Sequence, residues 1–74
     1  MSAVRKRSIA IRGHRTSFSL EQDFVDVLEE IAEQRGISFA ALVAEVDAAR
    51  PRDANLSSAL RVHALRHVMG TSAR

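Results

Sequence analysis

Hydrophobic residues recur with the period of an α-helix between residues 21 and 35. The hydrophobic residues, spaced by three or four positions, are Phe24, Val27, Leu28, Ile31 and Ala32. Acidic residues fill the opposite side of the helix. Such spacing gives a helix one apolar face that packs against a core. Gly36 follows, and a glycine commonly ends a helix. The pattern predicts an amphipathic helix over about residues 21–35.

Two further helices are predicted downstream. Ser38 is a good N-cap, and Pro51 disfavours the helical conformation at the preceding residue, so the second helix is expected at about 38–49. A third helix is expected at about 56–69, followed by a frayed tail at 71–74. Its apolar residues are Leu56, Leu60, Leu65, Val68 and Met69.

Upstream of the helices the residues favour β-structure, and apolar and polar positions alternate. This alternation predicts one short strand at about residues 15–20, with Phe18 and Leu20 on its buried face. The other face of the strand then carries three polar side chains, which are Arg15, Ser17 and Ser19.

The alternation changes parity on the N-terminal side of this strand. Ile9 and Ile11 are apolar at odd positions, whereas the strand that follows has its apolar residues at even positions. A change of parity indicates a bulge, a kink or a turn, and Gly13 lies where it occurs. Residues 8–12 could therefore join the ribbon described below, fold back as a hairpin, or stay mobile.

The chain is too short for these elements to form a stable core without a partner. Seventy-four residues form one domain, expected at 13–70, and a chain this short buries too little apolar surface to be comfortably stable. Cysteine is absent, which excludes disulfides. A single strand must also pair with something. Pairing with a second copy would satisfy both needs, and the expected dimer core is Phe18, Leu20, Phe24, Leu28, Ile31, Leu42 and Val46.

Charge is distributed unevenly, although the formal net charge is only +2. Residues 1–20 contain bases and no acid, whereas the first helix is acidic. Residues 1–12 are therefore expected to be a basic N-terminal arm, part of which could form a strand, that faces a polyanion such as a phosphate backbone. The alternative is a disordered basic tail that only aids solubility. The residues assigned to this basic arm are Arg5, Lys6, Arg7, Arg12 and His14.

The order and polarity of these elements resemble the ribbon-helix-helix (MetJ/Arc) superfamily over roughly residues 13–48. The resemblance rests on Arg15-Thr16-Ser17-Phe18-Ser19-Leu20-Glu21, on the helix ending Ile31-Ala32-Glu33-Gln34-Arg35-Gly36, and on Ile37-Ser38. Within the superfamily the chain looks most like short bacterial proteins that share the Gly13-His14 step and a downstream segment, Asn55-Leu56-Ser57-Ser58-Ala59-Leu60-Arg61.

The resemblance implies a mainly helical, intertwined homodimer with an intermolecular two-stranded antiparallel ribbon in the DNA major groove, plus the third helix. It implies a transcriptional repressor or regulator that reads base edges in double-stranded DNA through Arg15, Ser17 and Ser19. Phosphates would meet backbone amides where the second helix begins, at Ile37, Ser38 and Phe39. The two serines are less discriminating than the longer or more basic side chains of many relatives.

Other functions have less support in the sequence. An antitoxin or other protein-interaction module would use residues 53–74 to hold a partner. A basic third helix lying on anionic membranes is a weaker alternative, because its basic face is short. His63 and His67 are spaced like a zinc pair but lack further ligands, so no metal or cofactor is expected. No combination of residues indicates an enzyme, and a soluble, cytoplasmic protein that does not engage membranes is expected.

Overall fold

The fold was obtained as a computed structural model that describes residues 3–11 and 13–72, with the side chains of 71 and 72 left out. Two strands precede three helices in the described chain. The elements are β1 (Val4–Ile11), β2 (His14–Glu21), α1 (Gln22–Arg35), α2 (Phe39–Ala49) and α3 (Leu56–Ser72). The mainly helical class, the antiparallel ribbon and the third helix are confirmed. The tail expected to fray from 71 is still helical at 71 and 72.

The ribbon is a hairpin within one chain, which adds a second strand to the single strand predicted and is one of the three possibilities left open for residues 8–12. β1 and β2 run antiparallel, and their register joins Val4 to Glu21 and Ile11 to His14. Only residues 12 and 13 separate the strands, and Gly13 has a φ of 80°, which glycine adopts without steric cost. The change of parity in the sequence is therefore a turn, because this register pairs odd positions of β1 with even positions of β2.

The hydrophobic core packs against the inner face of the ribbon, which carries Ile11, Phe18 and Leu20. Among the described residues, thirteen hydrophobic side chains are buried, and they come from both strands and all three helices. Of the residues expected in the core, Phe18, Leu20, Leu28, Ile31, Leu42 and Val46 are buried. Phe24 is only half-buried and packs against the edge of the cluster, whereas Val25 is fully buried in α1. Helix α1 is thus rotated slightly from the face that its spacing predicted.

Local hydrogen bonds fix the short link between α1 and α2. Gly36 has a φ of 69°, and its amide donates to the Glu33 carbonyl at 3.1 Å. The amide of Ile37 donates to the Ala32 carbonyl at 3.0 Å, which completes a C-terminal cap. Ser38 is the N-cap of α2, and its hydroxyl accepts a hydrogen bond from the Ala41 amide at 3.0 Å. No helix within the described residues is long and apolar enough to cross a membrane.

Candidate nucleic-acid interface

The outer face of the ribbon carries the three side chains that the sequence assigned to DNA bases. Residues directly opposite each other in an antiparallel pair project from the same face. The register therefore sets β1 residues beside the predicted ones, in the pairs Ala10–Arg15, Ser8–Ser17 and Lys6–Ser19. All six are exposed except Ser19, which is half-buried. Arg15, Ser17 and Ser19 thus share one polar surface with Lys6 and Ser8.

Sequence reasoning missed Lys6 and Ser8 as members of this face. The turn at Gly13 was one of three readings, and only a turn adds a second strand to the surface. Because two residues link the strands, the residue numbers of each cross-strand pair add up to 25. Lys6 is therefore opposite Ser19, and Ser8 is opposite Ser17. A hairpin assumption applied to the sequence would have found both residues.

The residues assigned to the basic arm do not act as one unit, because residues 4–11 form β1. Arg5 and Arg7 lie opposite Leu20 and Phe18, on the inner side of the ribbon, while Lys6 projects outward. Arg7 is half-buried, and its guanidinium donates to the Gln22 side chain at 3.3 Å. His14 is exposed at the start of β2, and Arg12 lies outside the described residues.

Helix α3 holds the end of β2 from the side opposite β1. The Ser19 amide donates to the Ser57 hydroxyl at 2.9 Å, and the Arg61 guanidinium donates to the Ser19 carbonyl at 3.3 Å. Arg61 also donates to the Glu21 carboxylate at 3.0 Å and lies 5.9 Å from the centre of the Phe24 ring. These contacts fix the position of Ser19 on the outer face. They also account for the half-burial of its side chain.

The start of α2 offers fewer phosphate donors than the three residues assigned from the sequence. The Ile37 amide already donates to Ala32, so it is not available to a phosphate. Phe39 and Ala40 occupy the first two helical positions, whose amides have no acceptor within their own helix. These amides and the positive end of the helix dipole make the site suited to one anion. Ser38 is exposed and caps the helix beside them.

Acidic side chains cover the outer side of α1 and would repel a phosphate backbone. The exposed acids are Asp23, Asp26, Glu29, Glu30 and Glu33. Glu21 is the last residue of β2 and is paired with Val4 on the outer face of the ribbon, but its charge is opposed by Arg61. A hydrogen bond from its own backbone and one from Arg61 lower the pKa of the Glu21 carboxyl below its ordinary value of 4.5. The ribbon and α1 therefore present surfaces of different charge.

A groove lies between the C-terminal end of α2 and α3, with a volume of about 460 Å³. Its lining is mostly apolar and includes Val46, Pro51, Ala59 and Val62, with His63 and Arg66 beside them. Among the described residues, no group of three His, Cys, Asp or Glu side chains could hold a metal ion. His63 lines the groove, His67 lies one turn further along α3, and both are half-buried.

Comparison with known proteins gives one match. A family model described as a ribbon-helix-helix domain matches residues 4–68, which takes in β1, β2 and nearly all of the three helices. Neither the comparison with curated proteins nor that with solved structures gives a match. The match includes the whole hairpin as well as the segment that sequence reasoning compared with the superfamily.

Proposed function

The chain belongs to the ribbon-helix-helix family, and from that premise we propose that it is a transcriptional regulator, acting as a repressor, that binds double-stranded DNA sequence-specifically. The family is generally one of DNA-binding transcription regulators. The observation that carries the proposal is the polar outer face of the ribbon, where Arg15, Ser17, Ser19, Lys6 and Ser8 project together.

The dimensions and chemistry of this face suit the major groove. That groove of B-DNA admits a two-stranded β-ribbon, and its base edges present distinct patterns of donors and acceptors. Arg15 can donate two hydrogen bonds to one guanine, whereas Ser17 and Ser19 can donate or accept at several bases. In this proposal Arg15 supplies most of the base discrimination, while Lys6 contributes charge at the opposite end of the face.

Phosphate contacts position the ribbon. We place one phosphate at the amides of Phe39 and Ala40, beside Ser38, where α2 begins. The acidic side of α1 is expected to face away from DNA, because carboxylates near phosphates weaken binding. The protein acts as a homodimer in this proposal, so that two ribbons reach two half-sites, and it does so in the cytoplasm.

Fluorescence anisotropy with duplexes selected from a random pool tests the proposal across a salt series. The wild type should bind its selected duplex more tightly than a scrambled one and lose affinity as salt rises. The triple variant R15A/S17A/S19A should lose the preference while keeping the weak, salt-dependent binding. A folded wild type with no binding near physiological salt would overturn the proposal.

A matched control separates base readout from general charge. Arg52 is exposed in the link between α2 and α3 and belongs to neither strand of the ribbon. R52A removes one positive charge, as R15A does, but should leave the ratio of selected to scrambled affinity unchanged. Equal losses of that ratio in R15A and R52A would show that the ribbon does not read sequence.

A further inference from the structure

The groove between the C-terminal end of α2 and α3 has the size and the lining of a small-molecule site. Its volume of about 460 Å³ falls within the roughly 300–1,000 Å³ that ligand pockets usually occupy. Such pockets are lined mainly by hydrophobic side chains, with a few polar groups that orient the ligand. Six of the residues that line the groove are apolar, and they come from α2, from α3 and from the link between them: Val46, Ala49, Pro51, Ala54, Ala59 and Val62. The groove can therefore cover the apolar part of a ligand.

The charged side chains that line the groove are all basic. They are Arg50, His63 and Arg66, and none of the described residues in the lining is acidic. Two acids on α2 lie close by, because Asp47 contacts Arg50 and Glu45 interacts electrostatically with His63. Both acids are paired: the Asp47 carboxylate lies 2.7 Å from the Arg50 guanidinium, and the Glu45 carboxylate lies 2.8 Å from that of Arg35. The electrostatic potential of the groove therefore favours an anion over a cation.

Arg66 is the arginine of the groove that has no acid to pair with. The Arg50 guanidinium binds Asp47 and also donates to the Ala54 carbonyl, so it is already engaged. In the part of the chain that the structure describes, the Arg66 guanidinium makes no ion pair and no hydrogen bond, and the residue is exposed. A guanidinium presents a planar fork of N–H donors that matches both oxygens of a carboxylate. Arg66 is therefore suited to hold the headgroup of an anionic ligand.

Helix α3 places the apolar lining and Arg66 along one line. Ala59, Val62 and Arg66 are separated by three and four residues, which is the spacing of neighbours on one helix face. Seven residues of helix span about 10 Å, so Ala59 and Arg66 lie about that far apart along the axis. Pro51 and Ala54 precede Ala59 in the chain and extend the apolar lining. A ligand with its headgroup at Arg66 can thus lay a hydrocarbon chain of several carbons along the groove.

We propose that this groove binds a small hydrophobic carboxylate, with the carboxylate at Arg66 and the apolar chain over Val62 and Ala59. Burial of the chain supplies most of the affinity, and the guanidinium supplies the preference for an anion. A nucleic-acid phosphate backbone has no apolar part to cover the lining. The groove is formed by α2, α3 and their link and not by the ribbon, so ligand binding here does not require DNA.

Titration of the isotope-labelled full chain, followed by NMR, tests the site without DNA. Octanoate is the probe, and 1-octanol is its uncharged counterpart with a chain of the same length. Octanoate should shift the amide signals of Val62, His63 and Arg66 in a saturable way, because these residues line the groove. Octanol should bind about fivefold more weakly, which is the difference expected for one charge-assisted contact at an exposed arginine.

Two variants separate the headgroup contact from the apolar contact. R66A should weaken octanoate binding about fivefold and leave octanol binding unchanged, because only octanoate has a charge for Arg66 to bind. A49F should weaken the binding of both ligands, because Ala49 is exposed in the lining and a phenyl ring would occupy the groove. R5A is the matched control for charge, since Arg5 is exposed on β1 and outside the lining, and it should leave both affinities unchanged.

Four results would overturn the proposal, provided that circular dichroism shows each protein to be folded. Octanoate could give no saturable shifts at millimolar concentrations, as it would if a second copy covers the groove. R5A could lose as much octanoate affinity as R66A, which would show a response to net charge alone. The shifts could centre on Leu65 and Met69, on the exposed side of α3. Binding to phosphatidylglycerol vesicles without a response to octanoate would show a membrane surface instead.

Discussion

The rings of Phe18 and Phe39 meet in the core with their centroids 6.3 Å apart and their planes inclined by 46°. Phe18 lies on the inner face of β2, directly between Ser17 and Ser19 in sequence, and Phe39 is the first residue of α2. The contact joins the back of the proposed reading face to the helix end that offers amides to a phosphate. In the proposed complex with DNA, this aromatic pair connects the base-reading face to the phosphate-binding end of α2.

Loss of the Phe39 ring should reduce stability and DNA affinity together. F39A is expected to lower the free energy of unfolding by about 2–3 kcal/mol, below the range for a fully buried phenylalanine, because Phe39 is half-buried. F39L keeps most of the volume and should lose less than about 1.5 kcal/mol. Urea denaturation measures both values. An unfolding free energy for F39A equal to that of the wild type would contradict a structural role for this contact.

Lys6 and Arg7 are adjacent but project from opposite sides of the ribbon, so they provide a matched pair. K6A should weaken binding to every duplex and reduce the slope of log affinity against log salt by about 0.9, the change expected for one lost phosphate contact. R7A removes the hydrogen bond to Gln22 on the inner side and should leave the slope unchanged. Equal slope changes in K6A and R7A would mean that the salt dependence of DNA binding does not depend on which face of the ribbon carries the charge.

Much of the fold could be predicted from the sequence, because α1 repeats with a helical period and Gly36, Ser38 and Pro51 mark where helices end or begin. The sequence alone did not decide between a hairpin and the other two arrangements of residues 8–12. A strand without a visible partner can pair with a second copy or with an earlier segment, and periodicity alone does not decide between them. The change of parity limited the choices, and the positive φ of Gly13 completes the turn.

The candidate site was predicted only in part for the same reason. Alternation along one strand suffices to group Arg15, Ser17 and Ser19, but the neighbours of Ser19 come from distant parts of the chain. Ser57 and Arg61 are 38 and 42 residues away from it, and no local pattern indicates such a contact. The loss of the Ile37 amide to the helix cap depends on hydrogen-bond geometry that the residue types do not specify.

Two glycines should respond to alanine in opposite directions. G36A is expected to lower the free energy of unfolding by about 1 kcal/mol, because Gly36 has a φ of 69° and alanine is strained there. Gly70 is helical, and an added Cβ would meet nothing within 4 Å. G70A should therefore raise stability by a few tenths of a kcal/mol, less than in a helix interior because α3 ends nearby. Thermal denaturation compares the stability of each variant with that of the wild type. Lower stability in both variants would contradict the opposite responses expected for Gly36 and Gly70.

Acid should destabilise the fold through two carboxylates held by arginines. The pKa of Glu21 is lowered by its backbone hydrogen bond and by Arg61, and the pKa of Glu45 is lowered mainly by a hydrogen bond from Arg35. A carboxyl whose pKa is lower in the folded state binds fewer protons there than in the unfolded chain. Its stabilisation is present above the ordinary value of 4.5 and is lost as the pH falls through the lowered value. Urea denaturation between pH 3 and 7 at constant ionic strength and protein concentration should show this loss, and E21Q/E45Q should show a shallower one. An identical acid profile for the double variant would show that neither ion pair contributes to stability.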